Sequence, residues 1–536
     1  MVDKMVLLPI VDRELRVAAR RPGTYWMRCV AATVVLVVFL VVLANGNVAL
    51  RQMGPQLLNA MGVLALGFSM LAGVFLTADC LAEEKRDGTM GLLFLTDLKG
   101  YDVVLGKLVA SSLHSFFGLL AVFPILGLSL LMGGVTGGEF ARLLLVFGVT
   151  LFFSLNVGMF VSAICREARQ AFLATLLIIL TLSGVLPTLY WLVTLLGVGA
   201  AFDPPFWPSA PVAYHRAFDS SYQLISGPQR YWMAVGTIAA MGVACMIVAS
   251  LLLPRTWQQE KTPRAMKNAS DGTLSGLPRK PGEPIVLGNP MFWLGVRDPK
   301  VRRQALRVLV FMVPVALFFW VAAIGSSHFR EAFTACIFTA YATHVVLKFL
   351  IATEASRRMN EDRRSGALEL LLVTKMEVAE ILKGQRQALW QVFRPALLVL
   401  AVGNVGLILT TLTFSRHLQM RTDELKIFFV MFAGGLVVLF LDFFAISTVG
   451  MWRGLNARKH HQAVLGTIGQ ILLTPWLMIF FMVFIQQGFR TAGGVVIAVL
   501  VWLSVGAVVG VFSAVGARNK LEQHLRSVAA GETGKT

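Results

Sequence analysis

Charge is scarce in this chain: 14% of its 536 residues are Asp, Glu, Lys or Arg, while 56% are hydrophobic. Soluble domains carry about 25% charged residues, so an ordinary soluble class is excluded. Acid is scarcer than base, with 29 Asp and Glu against 48 Lys and Arg and a net charge of +19. Cysteine is also rare. Cys29, Cys80, Cys165, Cys245 and Cys336 lie in or beside apolar runs, and none forms a CxxC pair. That leaves no basis for a disulfide framework or a zinc site. There is no catalytic triad, paired-carboxylate site or metal motif either, and His460–His461 offers too few ligands and reads as solvated loop. Two strings imitate a phosphate-binding loop. GYDVVLGKL, from Gly100, has one residue too many between its glycines and puts Leu108 where Ser or Thr must bind magnesium. AAGETGKT has Ala529 at the first glycine position. No polar stretch reaches the more than about 100 residues that a nucleotide-binding domain needs. An ATPase would have to be a separate subunit.

What fills the chain is apolar sequence, with a mean hydropathy of +0.71. Runs of roughly 20 hydrophobic residues, enough to cross a bilayer as a helix, recur throughout. We read twelve spans, at about 26–45, 57–80, 105–133, 140–164, 170–198, 231–253, 306–325, 333–353, 388–413, 426–451, 463–485 and 492–516. The first is too long for a cleavable signal. With both termini on one side, that side collects 37 of the 48 Lys and Arg. Basic residues concentrate on the cytoplasmic side, so both termini are expected there, in a multi-pass protein of the cytoplasmic (inner) membrane. Topology and lipid contact account for the basic excess, and nucleic acid is not an expected partner.

One polar segment occurs twice. Residues 83–106 read EEKRDGTMGLLFLTDLKGYDVVLG, and residues 361–384 read EDRRSGALELLLVTKMEVAEILKG. They align without a gap at an offset of 278. Glu83 meets Glu361, Arg86 meets Arg364, Gly88 meets Gly366, Leu92–Leu93 meet Leu370–Leu371, Thr96 meets Thr374 and Gly106 meets Gly384. The chain then divides into a first half at 1–255, a polar linker at 256–287 rich in Pro, Gly, Lys and Arg, and a second half at 288–536. Each half opens with a proline and a basic amphipathic stretch, from Leu8 and from Asn289, expected to lie as helix at the membrane interface. The fourth and tenth spans align at an offset of 286, pairing Ser162 with Thr448 and Asn156 with Asp442. An internal duplication with transporter-like pseudo-symmetry follows. The largest loop opposite the motifs, about 199–230, suits an interfacial loop or short re-entrant helices.

Each motif copy has a charged opening (Glu83, Glu84 and Arg86; Glu361 and Arg364), a glycine break, a short apolar helix and a polar turn. The helix would show a narrow apolar face, made by Leu92, Leu93 and Leu95 in one copy and Leu368, Leu371 and Leu372 in the other. Thr374 followed by Glu377 has capping-box spacing, while Thr96 offers only a simple cap. Such a helix can seat in a groove of a partner protein.

In sequence the segment resembles that of ABC-2-type transporter permeases. There, an acidic-basic opening, Gly-Thr, Leu-Leu, a polar turn and Leu-Gly-Lys stand between spans two and three. The resemblance covers nearly the whole chain, once per half, and implies two permease halves fused in one chain. Copy one matches better, through Gly88, Thr89, Leu105, Gly106 and Lys107. Copy two departs, with Ala367 in place of Thr and Lys383 and Gln385 around Gly384. The resemblance implies a coupling helix in each half, at 88–98 and 366–376, docking on two ABC ATP-binding subunits. Glu83, Glu84, Arg86, Gly88, Thr89, Leu92, Leu93 and Thr96 would serve one contact. Glu361, Arg364, Gly366, Glu369, Leu370, Leu371 and Thr374 would serve the other. ATP and magnesium would sit on those subunits, and no cofactor on this chain. The implied function is export of an unidentified substrate, with this chain the permease rather than an enzyme.

Ionisable and polar groups inside spans carry functional suspicion, because burying them is costly. Asn156, Lys348, Arg394 and Asp442 form a possible intramembrane polar site, with His114, His344, Asn404 and Gln470 also inside spans. Lys348 and Arg394 are expected to snorkel, and Asp442 to face inward and pair with one of them. Two other classes remain open: a gradient-driven secondary transporter, and a non-transporting scaffold. The fold class expected is all-α, a polytopic bundle of about twelve transmembrane helices in two six-helix halves with elbow and coupling helices.

Overall fold

The computed structural model describes residues 50–95, 99–185, 187, 209–256, 289–296, 329–414, 422–457, 460–475 and 492–529, with isolated positions at 33, 303, 306, 309–310 and 313–314. Every regular element among them is helical. The chain forms two compact units, Met1–Pro278 and Arg279–Thr536.

Unit one contains α1 (Leu50–Leu76), α2 (Cys80–Asp87), α3 (Met90–Phe94), α4 (Gly100–Leu131), α5 (Gly137–Ile164), α6 (Ala168–Leu180), α7 (Ala210–Ala217), α8 (Asp219–Tyr222) and α9 (Gly227–Thr256). Unit two contains α10 (Pro290–Val296), α11 (Phe329–Arg364), α12 (Ala367–Leu372), α13 (Val378–Phe414), α14 (Thr422–Asn456), α15 (His460–Ile468) and α16 (Ala492–Ala529). α6 and α15 each run into a π-helical turn, Thr181–Val185 and Gly469–Leu473.

Among the described residues, seven helical segments are long and apolar enough to cross a bilayer: Gly54–Arg86, Gly100–Leu131, Gly137–Ile164, Gly227–Thr256, Val378–Thr413, Leu425–Asn456 and Val496–Ser527. They carry the second, third, fourth, sixth, ninth, tenth and twelfth expected spans. The eighth lies within α11. The fifth and eleventh begin as shorter apolar helices, Gln170–Gly184 and Gln462–Leu472, and their remainders lie outside the described residues. So do nearly all of the first and seventh spans, the stretch from Leu8 and, apart from Thr256, the linker at 256–287.

Apolar contact drives helix association weakly in lipid, so close approach of small residues has to do that work. In unit one α1 crosses α5 backbone to backbone. A methyl group at Gly73 would overlap the backbone oxygen of Ser154, and one at Gly158 would overlap the hydroxyl of Thr77. Hydroxyls then replace helix hydrogen bonds. Ser154 Oγ accepts from the Gly73 N–H at 2.9 Å and donates to the Met70 carbonyl at 2.5 Å. Thr77 Oγ1 lies 2.8 Å from the Leu155 carbonyl and 3.0 Å from that of Gly73. The helix breaks at 77–79 and restarts as α2. The Leu81 and Ala82 N–H groups, orphaned at that new start, donate to Ser162 Oγ at 2.9 and 3.0 Å.

Unit two builds the crossing without those hydroxyls. Gly450 of α14 packs against Ala352, Ala355 and Ser356 of α11, the positions that answer to those around Gly158. Val449-Gly450-Met451 therefore answers Val157-Gly158-Met159, an offset of 292. This corrects the expected offset of 286: Asn156 answers Thr448, and Asp442 answers Thr150. Matching polar residue to polar residue slid the alignment, whereas the small-residue crossing fixes it. Ala355, Ile446 and Gly454 stand where unit one has Thr77, Ser154 and Ser162, and α11 runs unbroken from Phe329 to Arg364.

At the other end of unit one, the 199–230 loop carries the short helices α7 and α8; residues 199–208 lie outside the description. Arg142 holds them by pairing with Asp219, donating to the Ala217 carbonyl at 2.9 Å and lying 3.9 Å from the Tyr222 ring centre.

Ser162→Ala leaves two buried N–H groups without their acceptor, a loss of about 1–3 kcal/mol. Thermal unfolding of the detergent-purified protein should show a lower Tm for Ser162→Ala, and almost no change for Ile164→Ala at an exposed site on the same helix. Equal Tm values would contradict the capping role.

Candidate functional site: the repeated segment and the polar cavity

The charged opening of copy one is a set of clamps. Glu84 pairs with Lys107 at 2.5 Å, tying α2 to α4. Lys85 donates to the Ala163 carbonyl at the end of α5 and lies 3.2 Å from Thr256 Oγ1 in α9. Arg86 grips Asp79 with two nitrogens at 2.8 and 3.0 Å and donates to the Arg166 carbonyl at 2.9 Å. Glu83 is half-buried in the first turn of α2.

Copy two repeats the clamps with different chemistry. The Glu84–Lys107 pair becomes Gln385 donating to Asp362 at 3.0 Å, again joining the motif helix to the next long one. Burial and neighbouring Glu361 raise the Asp362 pKa above the usual carboxylate range, against the opposing pull of Arg358, Arg357 and Gln385. Arg363 donates to the Leu455 carbonyl, as Lys85 does to Ala163. Arg357 bridges fully buried Glu354, at 2.8 Å, to exposed Glu361, at 2.6 Å. Arg364 is exposed at the end of α11.

Both openings then turn through a left-handed glycine, Gly88 and Gly366, each at φ 72. A Cβ at either would meet nothing within 4 Å, so backbone conformation alone selects glycine. The helices that follow, α3 and α12, are shorter than the expected 88–98 and 366–376. Met90 and Leu368 anchor them, at 1% and 0% exposure. Leu368 joins a core with Met359, Leu382, Met451, Leu455, Leu521 and Leu525, and Leu372 packs against it. Leu92 and Leu95 are 65% and 82% exposed, and their counterparts Leu370 and Val373 are 74% and 87% exposed.

Leu92 and Leu95 of the first copy are outward as expected, but the expected apolar face of the second copy is corrected. In α12, Leu368 and Leu372 face the bundle and Leu371 is half-buried, while Leu370 and Val373 are presented outward beside exposed Glu369. The expected side was inverted because the helix must first bury an anchor. Leu93 lies in α3, and Thr96 lies outside the described residues. Thr89 is exposed, with its hydroxyl 3.4 Å from the Glu84 carbonyl.

The expected caps also move. Thr374 Oγ1 donates to the Leu371 carbonyl at 2.6 Å and accepts weakly from Met376 N–H at 3.4 Å, closing the turn after α12. α13 begins four residues later, at Val378, and the Glu377 N–H just before it donates to Glu380 at 3.4 Å. In copy one the Lys99 N–H donates to Asp102 at 3.1 Å. The reach-back carboxylate of a capping box is thus present in both copies at the same offset. The loop-like string from Gly100 is the first turns of α4.

Of the polar residues expected within spans, unit two brings together an ion pair and a hydrogen-bonded pair. Lys348 and Asp442 meet at 2.6 Å with side chains 9% and 5% exposed. Lys348 therefore does not snorkel. Arg394 is exposed on α13 and takes no part in that pair. Asn156 sits apart in unit one, fully buried, with its amide nitrogen 2.8 Å from the Phe152 carbonyl and its side-chain oxygen unpartnered. Beside the ion pair, Asn404 and His344 are hydrogen-bonded at 2.8 Å. Their pairing was not anticipated. The available signal was His344 and Lys348 at i and i+4, one face of a helix. These four residues line a cavity of about 270 Å³ with Tyr341 and Trp502. Gln470, in the π turn, links Arg453 at 2.8 Å to Ser513 at 2.9 Å. His460 and His461 open α15 rather than a loop.

The described residues thus combine helices long and apolar enough to cross a bilayer with a clamped polar segment between the first two of them. Residues 6–196 match the family of the ABC-2 type transporter. That match lies within the first half of the chain. No curated protein matches it.

Gly88→Ala and Gly366→Ala should each cost about 1–2 kcal/mol, the penalty of a left-handed L-residue, without any steric clash. Thermal unfolding in detergent should show both losses, with Asn at either position milder than Ala. A neutral Ala at both would mean that the turn is not fixed.

Proposed function

We propose that this chain is the membrane subunit of an ATP-driven exporter in the cytoplasmic membrane, worked by separate ABC ATP-binding subunits that carry ATP and magnesium. One observation carries the reading. Two short helices, each launched by a left-handed glycine and anchored by one buried side chain, present a matched exposed pair: Leu92 with Leu95, and Leu370 with Val373. Exposed apolar residues on a rigid, polar-framed helix are the pattern of a docking surface. The clamps behind them convert a push on α3 or α12 into movement of the long helices. We read α3 and α12 as the coupling helices, one for each of two ATPase copies, and the resemblance of the halves as an internal duplication. The motif end and both termini then lie in the cytoplasm.

Co-purification tests this. The tagged chain should bring down its ATPase. Leu92→Asp with Leu370→Asp should abolish capture while the protein still inserts and keeps its Tm, since both side chains are exposed. Capture that ignores the double change would overturn the docking assignment.

A further inference from the structure

We propose that the cavity of unit two is a binding site for a small amphiphile with an anionic head, a site that unit one does not share. The argument starts from an internal comparison. The cavity's polar residues are His344 and Lys348 on α11, Asn404 on α13 and Asp442 on α14. Along the unbroken helices, the 278 and 292 offsets place Leu66, Met70, Leu126 and Thr150 at the same positions of unit one. The same architecture is therefore built there without a charge. A buried ion pair brings little net stability compared with apolar residues of similar size. The four polar residues of unit two are not needed to make the fold, and they converge on an open space.

That space has the character of a ligand site. Its volume of about 270 Å³ is close to the lower bound of small-molecule pockets, roughly 300 Å³. Its lining is mainly apolar, and Lys348 brings a cationic group with several donors to it. Lys348 has three N–H groups, and Asp442 engages one of them at 2.6 Å. Tyr341 and Trp502, whose rings lie 6.3 Å apart, bring a hydroxyl and an indole to the same wall. The one ionised acceptor, Asp442, is already held by Lys348. A guest that supplies an acceptor oxygen to Lys348 and an apolar tail to the remaining wall matches this set. A cationic head does not.

The test uses the full chain in nanodiscs with octanoic acid carrying a tail diazirine, photolysed and mapped by mass spectrometry. Label should map to the cavity walls on α11, α14 and α16, and unlabelled octanoate should compete while octylamine does not. The variant His344→Leu/Lys348→Met/Asn404→Leu/Asp442→Thr installs the residues of unit one. It should keep its Tm and lose cavity label about tenfold or more, the value of one charge-assisted hydrogen bond. Cavity label that octanoate cannot displace, or that the variant retains, would show bulk lipid partition and overturn the proposal. So would labelling confined to other surfaces. If the variant fails to fold, the internal comparison is wrong, and the wild-type competition decides the site alone. No arm involves an ATPase, so failure here leaves the docking assignment untouched.

Discussion

Everything at the motif end depends on how closely one helix crosses another. α1 and α5 meet at Gly73 and Gly158, and α11 and α14 meet at Gly450, with backbone near backbone. In lipid, apolar side chains gain little by leaving one apolar surrounding for another. Contacts of this kind therefore set the register of the bundle. Once that register is set, the ends of α5 and α14 present carbonyls to Lys85 and Arg363. Those clamps fix the opening of each motif copy, the glycine turn fixes its direction, and the buried Met90 and Leu368 fix the helix that follows. The exposed pairs are held in place through each preceding contact.

The two units reach this end by different routes. Unit one interrupts its crossing helix and repairs the break with the hydroxyls of Thr77, Ser154 and Ser162. Unit two lacks those hydroxyls and keeps the helix whole. It also replaces an ion pair, Glu84–Lys107, by a neutral donor to a carboxylate, Gln385–Asp362. The scaffold tolerates either chemistry where position alone matters. Against that tolerance, the concentration of charge at Lys348 and Asp442, in one unit only, needs a reason other than folding.

Much of this was readable in advance. Hydrophobic runs located the long helices, because length and composition suffice for that. Gly88 and Gly366 were recognised as breaks, since a glycine between a charged stretch and an apolar one has few other uses. That Asp442 faces inward and pairs with either Lys348 or Arg394 followed from the cost of burying a lone charge. Three features were not readable. The outward face of α12 depends on which leucine finds the core, a tertiary fact. The start of α13 at Val378 depends on a carboxylate reaching back from Glu380, while Thr374 looked the better cap. The true match of α5 with α14 lay in small residues, which carry no polar signal.

The most direct measurement is a cryo-electron microscopy map of the full chain bound to its ATPase. The account predicts density of one ATPase copy over Leu92 and Leu95 and of a second over Leu370 and Val373, with Met90 and Leu368 still buried. An ATPase seated elsewhere, with those four side chains left open, would contradict it.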